Sequence, residues 1–210
     1  MKMSKGLFIT LEGVEGVGKS TQAAFICARI EQSGRTVKLT REPGGTRAGE
    51  DIRELLLHAH DAGVSAMTEL LLIFSARSQH LEEVIRPALA AGEVVVCDRF
   101  TDATYAYQGG GRGIATDQIR TLELFVQGGL KPDLTILLDM DPTIGLQRAG
   151  GRSAADRFES ETIDFFQRVR NGYLRIAEQE PHRVKVVDAS QPIAVVQADI
   201  IKILSVRGLC

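Results

Sequence analysis

No stretch of this 210-residue sequence is both long enough and apolar enough to cross a bilayer. The longest run free of Asp, Glu, Lys and Arg, Ala189 to Ala198, is about half of what a membrane span needs. Lys2 and Lys5 precede only a short apolar run, broken by Glu12, which argues against a secretory signal. Charge of one sign is also missing: 25 Lys and Arg stand against 27 Asp and Glu, a net of −2. A nucleic-acid backbone would find no basic field here, so nucleic acid and membrane are both excluded as partners. Cysteine is scarce. Cys27, Cys97 and Cys210 are odd in number, far apart and in no metal-ligand spacing. They predict reduced thiols in a cytoplasmic protein rather than a disulfide scaffold. Internal repeats, low-complexity tracts and interdomain linkers are absent too, so residues 1–210 read as one domain.

Short apolar runs alternate with helical patterns. The predicted strands are Leu7–Glu12, Thr36–Thr40, Glu93–Cys97, Leu134–Leu138 and Val184–Val187. Their nearly continuous apolar character is that of strands covered on both faces. Ala23, Ile26, Cys27 and Ile30 mark a helix closing near Gly34. A long helix from about Met67 to Ala91 carries Leu70, Phe74, Arg77, Leu81 and Val84 on one stripe. Phe166, Val169, Tyr173 and Ile176 mark another helix, and Val196, Ile200 and Ile203 the last. Strands separated by helices predict an α/β fold with a five-stranded parallel sheet and helices on both faces. Gly109–Gly113 and Gly150–Gly151 read as loops.

Gly13-Val14-Glu15-Gly16-Val17-Gly18-Lys19-Ser20 fits the phosphate-loop pattern G-x-x-x-x-G-K-S/T completely, with a strand before it and a helix after. Glycines let successive N–H groups converge on one anion, and the helix N-terminus adds positive potential. Lys19 is positioned for the β- and γ-phosphates and Ser20 for Mg²⁺, so the segment through Thr21 is the predicted ATP site. The Asn-Lys-x-Asp guanine signature of switch GTPases appears nowhere. A short chain with one such loop suits a kinase of small metabolites, which holds a second substrate opposite the γ-phosphate.

Thr40-Arg41-Glu42-Pro43-Gly44-Gly45-Thr46 follows the second strand, where open α/β sheets bind ligands. Arg41 there is either a phosphate clamp or a solvated loop arginine. Asp98 closes an apolar strand as metal-binding acids do, with Arg99 beside it; Asp139 closes another strand in the same way. Phe74 and Arg77 share a helix face. That pair reads either as a wall for a base or as a core ring with an arginine that snorkels past it. Thr104, Tyr105, Tyr107 and Gln108 supply hydroxyls, rings and an amide beside the glycine-rich segment.

This ordered set resembles the thymidylate kinase family over nearly the whole chain, most specifically in Thr40–Gly45, Asp98-Arg99 and Ala106-Tyr107-Gln108-Gly109 with Arg112-Gly113. The resemblance implies transfer of the γ-phosphoryl of Mg·ATP to dTMP, and a homodimer built largely on helix faces. It implies that Arg41 and Arg99 meet the dTMP phosphate, with Arg53 and Glu42 nearby. Arg77 and Gln108 would address the thymine edge with Thr104, and Tyr107 would crowd the sugar. Glu15 matches the family acid near the acceptor sugar and the metal; Asp188 and Ala189 match the segment near adenine. Some members carry an arginine directly after that acid, where this chain has Gly16. The resemblance to the other, bacterial-like kind implies a lid at about 147–159 carrying Arg148, Arg152 and Arg157. Arg152 is then the expected catalytic arginine and Arg148 an ATP contact. The family's stacking aromatic falls on Ile73 here, so either the helix turns Phe74, one residue on, into the dTMP pocket, or Ile73 forms an aliphatic wall and Phe74 is core.

Overall fold

Strand β1 (Leu7–Glu12) leads into helix α1 (Lys19–Gln32), and β2 (Val37–Arg41) into α2 (Arg47–His58). Helix α3 (Ala66–His80) continues through a π-helical turn, Leu81–Ile85, into α4 (Arg86–Ala90) and β3 (Val94–Asp98). A short α5 (Thr101–Thr104) runs on as a π-helical segment, Tyr105–Gly111, before α6 (Thr116–Gln127) and β4 (Leu134–Asp139). Then come α7 (Pro142–Ala149), α8 (Ile163–Gln179), β5 (Val184–Asp188) and α9 (Ile193–Val206). This computed structural model describes residues 6–58, 63–149, 157–158 and 161–209.

The sheet is parallel throughout, in the order β2-β3-β1-β4-β5. Side chains alternate across it as strand geometry requires. Ile9, Leu11, Val94 and Val96 face the core under α1, α8 and α9, while Phe8, Val95 and Cys97 pack against Leu81, Ile85 and Phe100. The chain leaves β1 toward β2 and β3, then crosses to β4 on the other side, so the topological switch lies beside β1. There Leu11 and Arg41 both stand in register with Asp98. The phosphate loop, Arg41 and the Asp98-Arg99 pair therefore meet at one end of the sheet.

All five strands fall within a residue of their predicted positions. Coverage on both faces holds only for the central three: Leu39 of β2 and Val186 of β5 are each about half exposed at the sheet edges. The long helix is interrupted by its π turn, which adds a residue and passes the buried position from Val84 to Ile85. Gly109–Gly111 are helical, not a loop. A Cβ on Gly110 would lie 2.9 Å from the Arg168 carbonyl oxygen, and one on Gly111 would lie 2.5 Å from the Phe165 ring. Glycine here permits close packing of the π segment on α8. Helices α2 and α6, which are not among the predicted elements, each bury only two residues, Gly49 and Leu56 or Ile119 and Gln127.

Candidate active site

Gly13, Gly16 and Gly18 all take positive φ, at 139°, 73° and 90°, and wrap the loop around the start of α1. Gly18 caps that helix without a side-chain hydrogen bond, which leaves the first-turn N–H groups open to an anion. Lys19 Nζ donates to the carbonyls of Gly13 (3.1 Å) and Val14 (2.9 Å) and lies 4.0 Å from Glu15. Burial and the Arg99 charge pull its pKa below the ordinary lysine value, opposed by Glu15, Asp98 and Glu12. Val14 and Val17 are buried and anchor the loop in the core. A Cβ on Gly16 would overlap the Gly145 carbonyl oxygen, so the loop packs directly on α7 at this position.

A cavity of about 340 Å³ opens beside this loop. It brings together Glu15, Lys19, Ser20, Thr21, Arg41, Glu42, Arg53, Arg77, Asp98, Arg99, Thr104, Tyr107 and Gln108. Ile73 lines it and Phe74 does not. Phe74 is turned into the cluster with Leu70 and Ile119, and the Arg77 guanidinium lies 4.9 Å from its ring centroid. Of the two alternatives for this turn, the packing matches Phe74 as core and Ile73 on the cavity side, because the apolar side of α3 packs on α6. Arg77 is paired rather than snorkelling. Its Nε donates to Glu42 (2.7 Å) and Nη2 to Thr104 (3.0 Å), while Nη1 is buried without a partner among the described residues. Arg41 is exposed and bonded to Glu50 at 2.8 Å, and Arg53 donates to the Pro43 carbonyl at 3.1 Å. Tyr105 turns away and donates to Glu123.

Arg99 is the non-glycine residue with positive φ among the described residues, at 69°. Such a backbone costs about 1–3 kcal/mol and persists only where its surroundings hold it. Here its N–H donates to the Leu11 carbonyl, and the next N–H, of Phe100, donates to Glu12 at 2.8 Å. Its guanidinium donates to Glu15 (2.5 Å), Gly13 O (3.1 Å) and the Tyr173 hydroxyl (3.2 Å), and lies over the Tyr107 ring. Burial opposes ionisation of Glu15, but Arg99, Lys19 and the Tyr107 hydroxyl outweigh it and hold its carboxyl below the usual range.

Glu12 also accepts from the Tyr173 hydroxyl at 2.9 Å. Burial, reinforced by Asp102, pushes its pKa from 4.5 up to about 8 against the pull of Arg99, Tyr173 and the Phe100 N–H. Between those values the folded chain binds the extra proton, so Glu12 draws stability down as pH rises. Glu12→Gln keeps an acceptor for the Phe100 N–H and turns the end facing Tyr173 from an acceptor into a donor to the hydroxyl oxygen. It is expected to lose less stability than the parent between about pH 5 and about pH 8. Urea titrations at both pH values check this; identical pH dependence in the two proteins contradicts it.

Periodicity overlooked Glu12, Glu69 and His80, all fully buried, although Glu69, Ile73, Arg77 and His80 stand at helical spacing on α3. Glu42 accepts from His80 Nδ1 at 3.0 Å, and His80 Nε2 lies 2.6 Å from the Thr40 hydroxyl. Arg148 donates to the Ala189 carbonyl at 3.2 Å, beside Asp188. Arg157 donates to the Leu56 carbonyl at 2.9 Å and to Glu69 at 2.5 Å. Arg152, with residues 150–156 and 159–160 of the expected lid, lies outside the described residues. Cys27 and Cys97 are free thiols, and Cys210 is outside the described residues.

A phosphate loop facing several arginines across one cavity is the arrangement that a phosphoryl transfer between two nucleotides needs. The comparisons agree with it. A family model described as thymidylate kinase matches residues 11–200. A thymidylate kinase of Pseudomonas syringae pv. tomato is 60% identical over 199 residues, 95% of each chain. One of Pseudomonas savastanoi pv. phaseolicola is 60% identical over 195 residues, 93% of each. The crystal structure of thymidylate kinase from Ehrlichia chaffeensis superposes with a TM-score of 0.78 at 33% identity, covering 95% of this chain and 98% of that one. The chain belongs to the thymidylate kinase family, and its five-stranded parallel sheet is that of a P-loop kinase.

Proposed function

We propose that this cavity aligns ATP and dTMP for direct in-line transfer, with each site residue in the role its position supports. A phosphate oxygen of dTMP attacks the γ-phosphorus while the bond to the β,γ-bridging oxygen breaks, and that electron pair leaves on ADP. The acceptor is already anionic, so no protein nucleophile is required and catalysis is positioning with charge neutralisation. Gly13 to Thr21 hold the donor phosphates, with Lys19 at the β- and γ-groups. Arg41, Arg53 and Arg99 take the acceptor phosphate, and Glu15 and Tyr107 take its sugar. Arg77, Gln108 and Thr104 face the base, with Glu42 holding Arg77. Arg148 braces the adenine side at Ala189, and Arg152 is assigned to the phosphoryl group in flight.

The donor set fits Mg²⁺. Asp98 Oδ1 is buried without a partner among the described residues, and the Ser20 hydroxyl stands at the start of α1. No group of three or more His, Cys, Asp or Glu among the described residues is placed to cage a metal. This suits an ion held mainly by phosphates and water. Bound there, Mg²⁺ would neutralise charge on the donor phosphates.

Two further readings complete the proposal. Adjacent helices α2, α3 and α6 leave Leu55, Leu71, Leu124 and Phe125 about half exposed or more, which supports a homodimer formed on these helices. No helix among the described residues is long and apolar enough to cross a membrane. The free thiols Cys27 and Cys97 support a cytoplasmic enzyme.

The observation that carries the assignment is Arg77, which lines the cavity beside the uncapped phosphate loop and keeps its buried Nη1 without a partner among the described residues. ADP release measured across dTMP, dUMP, UMP, CMP, AMP and GMP tests it. We expect dTMP to exceed UMP, CMP, AMP and GMP by more than tenfold in kcat/KM, since a pocket that hydrogen-bonds its ligand rejects mismatched analogues. Equal efficiency on CMP or AMP would remove the thymidylate roles of Arg77 and Gln108.

A further inference from the structure

Glu69 sits in the first turn of α3 and is fully buried. A carboxylate in that setting persists only when charges and hydrogen bonds replace its water. Arg157 Nη2 donates to Oε2 at 2.5 Å, and Arg112 donates to both oxygens at 3.3 Å. The second arm of Arg112 reaches Glu161 at 2.5 Å. Two guanidinium groups and two carboxylates thus balance, and Glu69 is fixed in place as an anion.

Its remaining side-chain donor among the described residues is Gln108. Gln108 Nε2 lies 2.8 Å from Glu69 Oε1, and the Gln108 side chain lines the cavity. A carboxamide has a donor end and an acceptor end, whereas a carboxylate only accepts. With Glu69 ionised, the nitrogen end of Gln108 has to face it, and the oxygen is the end left for the cavity. Arg77 lines the same cavity, and its Nη1 is a buried donor without a partner among the described residues. The wall therefore presents one donor and one acceptor. That order complements a base edge carrying a carbonyl oxygen next to a ring N–H. It opposes an edge carrying an amino group next to a bare ring nitrogen.

We propose that Glu69 is the positioning residue that sets which end of Gln108 faces the base, and that by doing so it excludes cytidylates while admitting both dTMP and dUMP. The inference rests on the proposed placement of the base at Arg77 and Gln108. Glu69 touches neither substrate. It acts through the direction of one amide, whose reversal would exchange an acceptor for a donor at the ring nitrogen.

The test is kcat/KM for dTMP, dUMP and dCMP in the parent, Glu69→Gln, Gln108→Leu and the double variant, with folding checked by thermal melting. A glutamine at 69 can pair with Gln108 in either direction. Glu69→Gln is therefore expected to lower the dTMP-to-dCMP ratio about tenfold, the scale of one misdirected hydrogen bond. The dTMP-to-dUMP ratio and the KM for ATP are expected to stay unchanged. In the Gln108→Leu background the same substitution is expected to leave the dTMP-to-dCMP ratio where Gln108→Leu alone puts it. A loss shared equally by all three substrates would make Glu69 merely structural and overturn the proposal. If Glu69→Gln does not fold, Glu69→Asp keeps the charge, draws it back from Gln108, and is read by the same ratios. A Gln108→Leu variant that discriminates like the parent would instead overturn the placement of the base, a failure visible without any change at Glu69.

Discussion

Lys19→Ala is expected to lower kcat by about 10³-fold or more while the protein remains folded. That is the scale on which removing a cation from a transferring phosphoryl group acts. The Lys19 ammonium is nearly buried, at 9% exposure, where a charge is worth far more than in water. Burial and Arg99 work against its proton, and Glu15, Asp98 and Glu12 work to retain it. The site thus spends three carboxylates in keeping one lysine charged beside an uncapped helix N-terminus. Such an arrangement has little structural return, since the Gly13 and Val14 carbonyls that Lys19 bridges belong to its own loop. Single-turnover transfer and thermal melting measured side by side separate the two roles. A folded variant with near-parental transfer removes Lys19 from the mechanism; a small shift in melting with a collapse in transfer is the expected pair of results.

The part of this site that is legible in the sequence is the part made by neighbours along the chain. The phosphate loop is contiguous, and Asp98 and Arg99 follow directly on a buried strand whose apolar run announces it. What the sequence conceals are polar groups paired over long separations. Glu42 and Arg77 are 35 residues apart, Gln108 and Glu69 are 39 apart, and Arg157 and Glu69 are 88 apart. An arginine on an apolar stripe shows that a partner must exist, but the identity of that partner depends on which elements the sheet order brings together. Phe74 illustrates the complementary limit. Its helical face is readable, yet whether that face meets the ligand or α6 is decided by packing, and Ile73 takes the cavity. The helix α2 buries only Gly49 and Leu56, yet it contributes Arg53, Leu56 and Leu57 to the cavity, because its place beside the phosphate loop depends on tertiary packing and not on its own pattern.

Arg77→Met is expected to cost both stability and catalysis, and the two losses can be separated. Arg77 is 1% exposed, bonded to Glu42 and Thr104, with its guanidinium 4.9 Å and 4.8 Å from the ring centroids of Phe74 and Phe100. Removing one partner of a buried ion pair costs about 3–5 kcal/mol because the other charge is stranded. His80 stays on Glu42 and softens that penalty, so about 3 kcal/mol is expected. For a chain of this size that lowers Tm by about 6–12 °C. Pairing the change with Glu42→Gln removes the stranded charge and is expected to restore most of the loss. It cannot restore a donor to the base. The double variant should therefore melt close to the parent while kcat/KM for dTMP stays about 10²-fold low, as expected when a charged hydrogen bond to the ligand is deleted. Melting curves and dTMP kinetics on the parent, both single variants and the pair complete the cycle. If the pair regains activity together with stability, Arg77 holds the fold and does not read the base, and the recognition of thymine must then lie with Gln108 and Thr104 alone.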